Sequence, residues 1–327
     1  MAADPAARAL TPRILVLRRD NIGDLVCTTP LLAALRARLP QAWLGALVTT
    51  YNAEVLAGNA ALDEVFVYEK LKHRSGGLIS HLRTRIAQMS RLRARELDCV
   101  LVPAPSPQSL KLARSLKPAQ VISVPSSVPA RQHEVERAFE VGKAFGLVGK
   151  PGALQIFPDA QRSAELQSQL GGGPFVAVHI SARRPAQRWP LDRYAALAAA
   201  LSEQQKVMLL WSPGAKDDAR HPGDDEAAAM VLGAAKSARV IPVATPDLKT
   251  LIAALSLADR VVCPDGGAMH LAAALGKPVV ALFGDSPVAR WRPWGVPHRV
   301  LQPDSRDLAD LALDAVLGAC ADLARAG

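Results

Sequence analysis

Short apolar segments alternate with longer segments of helical periodicity along the 327-residue chain. Apolar, β-branched runs bounded by glycine, proline or polar residues are typical of buried strands, whereas apolar positions three and four residues apart indicate helices. In the first half these patterns predict strands at Arg13–Arg18, Trp43–Val48, Glu64–Tyr68, Asp98–Pro103 and Gln120–Val124. They predict helices at Leu25–Leu39, Leu78–Arg95, Ser106–Lys117 and Arg131–Phe145.

The same alternation continues through the second half. Strands are predicted at Phe175–Ile180, Lys206–Trp211, Arg239–Ile241, Arg260–Cys263 and Pro278–Phe283. Helices are predicted at Leu191–Gln204, Asp225–Lys236, Asp247–Leu257, Gly267–Leu275 and in a tail from Ser305. Strands that alternate with helices form parallel sheets covered by helices on both faces. The predicted fold class is therefore α/β, with two Rossmann-like domains that face one another.

Two segments rich in glycine and proline, Gly149–Gly152 and Gly171–Pro174, mark where the first series gives way to the second. A chain of this length is about twice the usual single domain, which also favours two domains. We predict a first domain at residues 1–163, a second at residues 164–304 and a terminal helical segment at residues 305–327.

Composition excludes several classes of protein. Hydrophobic residues make up 50% and charged residues 21% of the chain, the balance of a folded soluble protein. No apolar run reaches the roughly 18 residues of a membrane span, and the segment before Pro12 lacks the apolar core of a signal peptide. No Cys-x-x-Cys pair occurs, which argues against a zinc ribbon and a disulfide framework. These features predict a cytoplasmic protein.

The formal net charge of +9 lies entirely in the first half of the chain. Residues 1–163 hold 22 lysines and arginines against 13 acidic residues, whereas residues 164–327 hold 17 of each. The segment from Lys70 to Arg95 carries eight basic residues and no acidic one. Such a segment indicates an anionic partner. Nucleic acid is disfavoured, because aromatic residues make up only 4% and no RNA-binding aromatic motif accompanies the charge.

The loop after the first predicted strand, Arg18–Leu25, carries a candidate carboxylate. Ligands bind at the carboxyl ends of the strands in open parallel sheets. The loop has one glycine, Gly23, which is predicted to form a tight turn, so the GxGxxG fingerprint is missing and a nicotinamide-dependent oxidoreductase is disfavoured. Asp24 stands at the start of a helix. It is either an N-cap that satisfies free N–H groups or a general base that accepts a proton from a hydroxyl group.

A second loop, Val261–Leu271, has the composition of a phosphate-binding site. Gly266 and Gly267 allow backbone N–H groups to approach a ligand, and the N-terminus of the following helix carries about half a positive charge. His270 lies close to that N-terminus. Each residue also has a purely structural interpretation: Asp265 as a helix cap, the glycines as a turn and His270 as a buried histidine. Taken together, they favour phosphate binding.

The segment Val178–Pro190 follows another predicted strand and carries three arginines, Arg183, Arg184 and Arg188. The guanidinium fork suits bidentate binding of a diphosphate. The alternative is a solvated basic loop in which Trp189 anchors the packing.

These motifs together resemble glycosyltransferase family 9, the heptosyltransferases of lipopolysaccharide core assembly. The run RRDNIGDLVCTTPLL from Arg18 is similar to the N-terminal signature of that family, and DGGAMHLAAALGKPVVALFG from Asp265 is similar to its donor-site signature. The segments Gln187–Pro190 and Arg290–Gly295 also fit. The matches are spread over nearly the whole chain.

The resemblance implies a GT-B architecture, in which two Rossmann-like domains face a central cleft. It also implies an inverting sugar transfer with no metal and no other cofactor. The first domain would bind the acceptor, the anionic Kdo–lipid A inner core, at the cytoplasmic face of the inner membrane. The second would bind the nucleotide-sugar donor, ADP-heptose. In this fold the terminal segment, here residues 305–327, often returns to the first domain. Nucleic acid is not an expected partner.

Carried over to this sequence, the family pattern places the catalytic base at Asp24. With residues of the neighbouring loops, the expected donor site comprises Asp265, Gly266, Gly267, His270, Ser181, Arg184, Arg188 and Asp217. The expected acceptor-side residues are Arg18, Asn21, Gly23, Lys70, Lys72 and Arg74. No metal ligand is expected.

Two positions depart from the family pattern. Gln187 stands where the family usually has a lysine that contacts the donor phosphates, and many relatives have serine or threonine at the position of Gly266. Either one of Arg183, Arg184 and Arg188 supplies the missing charge, or the enzyme is slow or uses another donor or acceptor. The leading hypothesis is a heptosyltransferase. The alternatives are a glycosyltransferase with another nucleotide-sugar donor or envelope glycan acceptor, and a non-catalytic protein that binds anions or nucleic acid.

Overall fold

The computed structural model describes residues 11–68, 78–216 and 223–326. The chain divides into two compact units, Met1–Ile156 and Phe157–Gly327. Each unit is built around one parallel sheet with helices packed on it. The prediction of two parallel-sheet α/β domains is therefore confirmed.

The first unit contains a five-stranded sheet in the order β3-β2-β1-β4-β5. Its strands are β1 (Arg13–Leu17), β2 (Trp43–Thr49), β3 (Glu64–Tyr68), β4 (Cys99–Val102) and β5 (Gln120–Ser123). Its helices are α1 (Ile22–Val26), α2 (Thr29–Arg38), α3 (Leu78–Ala94), α4 (Pro107–Ser115) and α5 (Glu134–Phe139). The chain passes from β1 to β2 on one side and returns to β4 on the other. The loop after β1 therefore lies at the switch point of the sheet, where ligands bind in this class of fold.

The second unit contains a six-stranded sheet in the order β11-β10-β9-β6-β7-β8. Its strands are β6 (Phe175–His179), β7 (Lys206–Trp211), β8 (Val240–Ala244), β9 (Arg260–Pro264), β10 (Val279–Leu282) and β11 (His298–Leu301). Its helices are α6 (Ala160–Leu170), α7 (Leu191–Ser202), α8 (Asp225–Ala235), α9 (Leu248–Ser256), α10 (Gly267–Ala274), α11 (Val288–Trp291) and α12 (Leu313–Ala326). The switch point of this sheet lies between β6 and β9.

The predicted helix Leu25–Leu39 is divided in the structure into α1 and α2. Pro30 stands in the first turn of α2, a position that tolerates proline because its missing N–H is not needed there. A continuous helix would require that N–H and would clash with the proline ring. The Thr28 hydroxyl instead donates to the backbone oxygen of Asp24 over 2.9 Å and closes the end of α1.

The second unit begins before the predicted boundary at residue 163. Helix α6 spans that position and packs against α9. Two contacts fasten the pair: the Arg162 Nε donates to the Thr250 hydroxyl over 3.3 Å, and the Lys249 ammonium lies 2.9 Å from the Asp159 carboxylate. The whole of α6 therefore belongs to the second unit, which starts at Phe157.

The terminal helix α12 packs against α7, β10 and β11 of the second unit. It contributes Val316, Cys320 and Leu323 to the core of that unit. The helix begins at Leu313 and not at Ser305, because the preceding residues form a short 3-10 turn in which the Asp307 side chain caps the amide of Ala309. Among the described helices, none has the length and apolar character that a membrane span requires.

Candidate active site

The Asp24 carboxylate lies at the switch point of the first sheet, in the first turn of α1. Asn21 is the N-cap of that helix, and both its backbone N–H and its side-chain amide donate to Asp24 Oδ2, over 3.1 and 2.9 Å. Asp24 thus reaches back to the N-cap in the manner of a capping box. Its side chain is still 13% exposed, so a ligand can reach it. The structural and the catalytic interpretation of Asp24 are compatible.

The Arg18 guanidinium holds the other oxygen of Asp24. Its Nη2 donates to Asp24 Oδ1 over 2.9 Å and to Glu134 Oε1 over 2.6 Å, and its Nε lies 3.4 Å from Asp20. Burial of Arg18 opposes its charge, but the carboxylates of Asp24, Glu134 and Asp20 raise its pKa. Because the residue is only 1% exposed, its side chain faces these carboxylates and not solvent.

Gly23 lies inside α1 with an ordinary backbone conformation, so the predicted tight turn at this residue is wrong. The turn before the helix is made by the extended backbone of Asn21, which is exposed at the mouth of the loop. The predicted residues Lys70, Lys72 and Arg74 lie outside the described residues, as does Asp217 of the donor-side prediction.

In the second unit, Asp265, Gly266 and the N-terminus of α10 lie together directly after β9, at the loop for which the sequence predicts phosphate binding; we refer to this loop as the phosphate seat. Gly266 is the N-cap of α10, and the free N–H groups of the first turn face the carboxyl edge of the sheet. A Cβ atom built on Gly266 would meet no atom within 4 Å, and its backbone is extended. The open space above Gly266 leaves room for an anion at the helix N-terminus, and a serine or threonine side chain would also fit at this position.

The Asp265 side chain lies at the centre of a buried polar cluster. The Gln187 amide donates to Asp265 Oδ2 over 2.8 Å and to the Ser286 hydroxyl over 3.0 Å. The Arg184 guanidinium donates to the Ser286 hydroxyl and lies 4.0 Å from Asp265 and 3.2 Å from Asp285. Burial raises the pKa of Asp265, although Ser286, Arg184 and Gln187 act in the opposite direction.

Gly284 fixes the loop of Arg184 and Gln187 against the end of β10. A Cβ atom at Gly284 would lie only 2.0 Å from the backbone oxygen of Ala186, so only glycine fits at this position. The Gln302 side chain holds the same turn by donating to the backbone oxygens of Gly284 and Ser286, over 2.6 and 3.0 Å. The loop that carries Arg184 is therefore packed against a turn that is itself held by hydrogen bonds.

His270 is in the first turn and a half of α10, as expected, and is 2% exposed. Its ring meets the ring of Trp291 edge-on, with 6.0 Å between the centroids. Trp291 belongs to the predicted motif Arg290–Gly295, so the structure brings two of the sequence motifs into contact. Ser181 follows β6 and accepts a hydrogen bond from the backbone N–H of Ser212 over 2.9 Å, which joins the loops after β6 and β7.

Arg188 points away from the phosphate seat. Its Nε donates to the backbone oxygen of Ala182 over 3.0 Å, and its Nη2 lies 3.8 Å from the carboxylate of Asp224. Arg188 and Asp224 line a cavity of about 310 Å³ at the carboxyl ends of β6 and β7. Its other walls are largely apolar and include Ile180, Trp189, Ala227 and Met230. Trp189 itself is buried and donates to the backbone oxygen of Leu311 over 2.9 Å, so the predicted packing role holds.

Sequence reasoning missed three residues of these sites. Asp224 stands at the N-cap position of α8, where the only local signal is a Gly-Asp-Asp run before an apolar helix. Ser286 is 2% exposed and joins the cluster of Asp265 from the turn that follows β10. Glu134 lies far along the chain at the start of α5, and nothing in the local sequence connects it with the loop after β1.

Two arginines near the end of the basic segment Lys70–Arg95 are engaged in contacts within the first unit. Arg91 on α3 and Arg95 just after it both bind the carboxylate of Glu64 on β3, over 2.8 and 2.6 Å, and lie over the rings of Phe66 and Trp43. These contacts hold α3 on the edge of the sheet. Three basic residues predicted for the acceptor side, at positions 70, 72 and 74, lie outside the described part of the chain.

The sequence profile of glycosyltransferase family 9 (heptosyltransferase) matches residues 114–312, more than half of the chain. The chain belongs to glycosyltransferase family 9. As a member of this family the protein is a glycosyltransferase, which confirms the prediction of an enzyme. The match covers both the phosphate seat on α10 and the cluster of Gln187 and Asp265.

The family 9 enzyme is similar to characterised heptosyltransferases over most of its length. It is 23% identical to lipopolysaccharide heptosyltransferase 3 of Escherichia coli K12, across 83% of this chain and 82% of that one.

Among solved structures, a family 9 glycosyltransferase from Veillonella parvula has a TM-score of 0.82 at 19% identity and covers 97% of this chain and 98% of that one. The E. coli heptosyltransferase WaaC with ADP has a TM-score of 0.75 at 20% identity, covering 95% and 99%. The same enzyme with ADP-2-deoxy-2-fluoro heptose has a TM-score of 0.73. These likenesses confirm the predicted GT-B fold.

Proposed function

We propose that this family 9 glycosyltransferase transfers a heptose from ADP-heptose to the inner core of lipopolysaccharide, a Kdo- or heptose-bearing lipid A. The observation that carries the proposal is the phosphate seat at Asp265, Gly266 and α10, with the Arg184 guanidinium 4.0 Å from the Asp265 carboxylate. The relatives add the substrate classes. One is named a lipopolysaccharide heptosyltransferase, and solved structures of another contain ADP and an ADP-heptose analogue.

The donor half of the reaction belongs to the second unit. The diphosphate binds at the N-terminus of α10, where free N–H groups and the helix dipole favour negative charge. The nucleoside enters the cavity after β6 and β7, whose apolar walls suit a base and whose Asp224 carboxylate suits a ribose hydroxyl. The two places are neighbours along the edge of one sheet, because β9, β6 and β7 are adjacent strands.

The acceptor half of the reaction belongs to the first unit. Asp24 accepts the proton of the acceptor hydroxyl while that oxygen attacks the anomeric carbon. The bond between the anomeric carbon and the diphosphate breaks in the same displacement, on the opposite face of the sugar. A single displacement of this kind inverts the anomeric centre.

Charge on the departing diphosphate is stabilised by Arg184 and by the N-terminus of α10, which together replace a metal ion. Among the described residues, no group of three or more His, Cys, Asp or Glu side chains is placed to hold a metal. The proposal of metal independence rests on the cationic groups that are present. Transfer that persists in excess EDTA would support it, and loss of transfer that Mg²⁺ restores would contradict it.

The acceptor is an anion at a membrane surface. The net charge of +9 in residues 1–163 and the basic residues Lys70, Lys72 and Arg74 suit carboxylates and phosphates of the inner core. Asn21 is exposed beside Asp24 and offers an amide to the acceptor. We therefore propose that the enzyme works in the cytoplasm, in peripheral contact with the inner membrane. Sedimentation with anionic vesicles that weakens as salt rises is the expected result.

The proposed reaction is tested by incubating the enzyme with ADP-heptose and a heptose-deficient lipopolysaccharide. A mass increase of one heptose on the acceptor and the release of ADP are expected. Transfer from another sugar nucleotide, with none from ADP-heptose, would refute the heptose assignment and leave the reaction class in place. The replacement of the family lysine by Gln187 favours this second candidate donor. A thermal-shift comparison of ADP, UDP, GDP and CMP compounds distinguishes the two, since a bound ligand raises the unfolding temperature.

A further inference from the structure

We infer that Glu134 is a positioning residue for Asp24 and acts on it through the buried guanidinium of Arg18. The inference rests on the proposed function, in which Asp24 is the base. It assigns Arg18 to the same task, instead of the contact with the acceptor that the sequence suggested.

One nitrogen atom joins the two carboxylates. Nη2 of Arg18 donates to Asp24 Oδ1 over 2.9 Å and to Glu134 Oε1 over 2.6 Å. Arg18 and Glu134 are each 1% exposed, so water does not replace either partner. If Arg18 moved fully towards Asp24, it would leave the charge of Glu134 buried and without its closest counter-ion, which is costly. The shared nitrogen therefore fixes both the place and the orientation of the Asp24 carboxylate.

The sharing also sets how much positive charge Asp24 experiences. Three carboxylates surround Arg18: Asp24, Glu134 and Asp20, the last 3.4 Å from its Nε. A second guanidinium, that of Arg137 on α5, places its Nε 3.7 Å from the other oxygen of Glu134, Oε2. His133 is the N-cap of the same helix, and its Nδ1 accepts a hydrogen bond from the backbone N–H of Val135 over 3.2 Å. Without the negative charge of Glu134, Arg18 would act on Asp24 and Asp20 alone and would make Asp24 a weaker base.

The experiment compares Glu134→Gln with wild-type enzyme in the transfer of heptose from ADP-heptose to heptose-deficient lipopolysaccharide. The amide keeps the size of the side chain and removes its charge. The expected kcat falls by about tenfold, a part of the roughly 10²–10⁴-fold that a general base contributes. The acidic limb of the pH profile of kcat moves to lower pH, and the KM for ADP-heptose stays unchanged.

Two further variants keep the comparison decisive. Glu140→Gln is the matched control, because Glu140 follows α5 directly and pairs with the exposed Lys143 over 2.7 Å, outside the Arg18 cluster. It is expected to leave kcat and the pH profile unchanged. Should Glu134→Gln fail to fold, Arg18→Lys takes its place. A lysine keeps the charge but lacks the planar fork, so kcat is expected to fall without a rise in the donor KM.

The outcomes separate the inference from the proposed function. Asp24→Asn with wild-type kcat would refute the role of Asp24 as the base and the inference together, whereas absence of heptose transfer with transfer from another sugar nucleotide would refute only the heptose assignment. A large loss in Asp24→Asn combined with an unchanged kcat and pH profile in folded Glu134→Gln would overturn the inference alone. If the ion pair only holds α5 in place, Glu134→Gln would lower the unfolding temperature but would leave the pH profile of the remaining activity unchanged.

Discussion

The Gln187 amide donates to the Asp265 carboxylate over 2.8 Å, and both residues are less than a tenth exposed. A neutral side chain thus occupies the position where the family usually has a lysine. The guanidinium of Arg184, three residues earlier, lies 4.0 Å from the same carboxylate. Of the three arginines that the sequence offered as replacements, Arg184 is the one that the structure places at the phosphate seat.

Arg184→Ala is expected to weaken the binding of ADP by about 10- to 100-fold, because a hydrogen bond to a charged group contributes about 1.5–3 kcal/mol. Isothermal titration with ADP and with adenosine measures the effect, which should be absent for adenosine. Arg183→Ala is the control, since Arg183 is an exposed neighbour on the same loop. Equal losses in the two variants would show that general charge, and not the placed guanidinium, binds the diphosphate.

Asp24→Asn is expected to lower kcat by about 10³-fold, within the range for loss of a general base, and to leave the Kd for ADP within about twofold. The asparagine still accepts a hydrogen bond from Arg18 but cannot take a proton. Steady-state kinetics and ADP titration give the two values. A large loss of nucleotide affinity would contradict the role of Asp24 as the base.

His270→Ala is expected to weaken ADP binding by about tenfold, the value of one hydrogen bond near 1.4 kcal/mol. Because His270 is buried against Trp291, the alanine also leaves a cavity. His270→Leu serves as the control, since it fills most of the space and removes only the ring nitrogens. Wild-type affinity in the leucine variant would assign His270 to packing alone.

Asp265→Asn is expected to raise the free energy of unfolding at pH 7. Burial raises the pKa of Asp265, so its stabilising contribution is present below the ordinary pKa and is lost as the pH rises through the folded-state pKa. The difference in free energy of unfolding between Asp265→Asn and the wild type should therefore shrink as the pH falls towards about 3.9, the ordinary pKa of aspartate. Urea unfolding at a series of pH values measures it.

Asp159→Asn is the matched control for that measurement. Asp159 caps α6, and its hydrogen bond from the Arg162 amide and its pairing with Lys249 lower its pKa. Replacement of this carboxylate is expected to lower the free energy of unfolding at pH 7, which is the opposite of the effect expected for Asp265→Asn. If Asp265→Asn also destabilised the protein at pH 7, the ionised carboxylate would be a net contributor to the fold.

His179→Leu is expected to reduce the loss in free energy of unfolding that accompanies a fall in pH from 6.5 to 4. Burial lowers the pKa of His179 to about 4, from an ordinary 6.5, and its Nδ1 has no hydrogen-bond partner among the described residues. The unfolded chain therefore binds more protons between these pH values, and stability present above pH 6.5 is lost as the pH falls to 4. Over the whole of this pH range, the change in free energy of unfolding is at most about 3 kcal/mol. His298→Leu, at a partly buried histidine, should leave that slope in place.

The parallel sheets were predictable because their central strands are short and almost wholly apolar. Segments such as Phe175–His179 and Cys99–Val102 are buried on both faces and carry no competing pattern. The weaker strand His298–Leu301 at the edge of the second sheet was missed, since it is only partly buried and mixes polar with apolar residues. The helix Ala160–Leu170 was missed for a related reason: only Leu166 and Leu170 of its residues are buried.

The positions of the candidate residues in the fold were predictable where one loop carries most of them. Asp24, Asp265 and His270 each stand directly after a strand or at the start of a helix, which local patterns reveal. The partners that complete the sites come from distant segments: Glu134 lies on α5, and Ser286 follows β10. Their contribution depends on tertiary packing and on burial, and neither is encoded in the neighbouring sequence. The choice of Arg184 over Arg188 likewise depends on which way each side chain leaves its loop.

The pairing of Arg18 with Glu134 also bears on when the loop that holds Asp24 becomes ordered during synthesis. The two residues are 116 positions apart, so a nascent chain has exposed all five strands of the first sheet before the partner of Arg18 appears. Until then the guanidinium lacks its closest counter-ion, and closing so long a loop carries an entropic cost. Order in the loop after β1 is therefore a late event. Fragments that stop before α5 would retain the early strands without a correctly held Asp24.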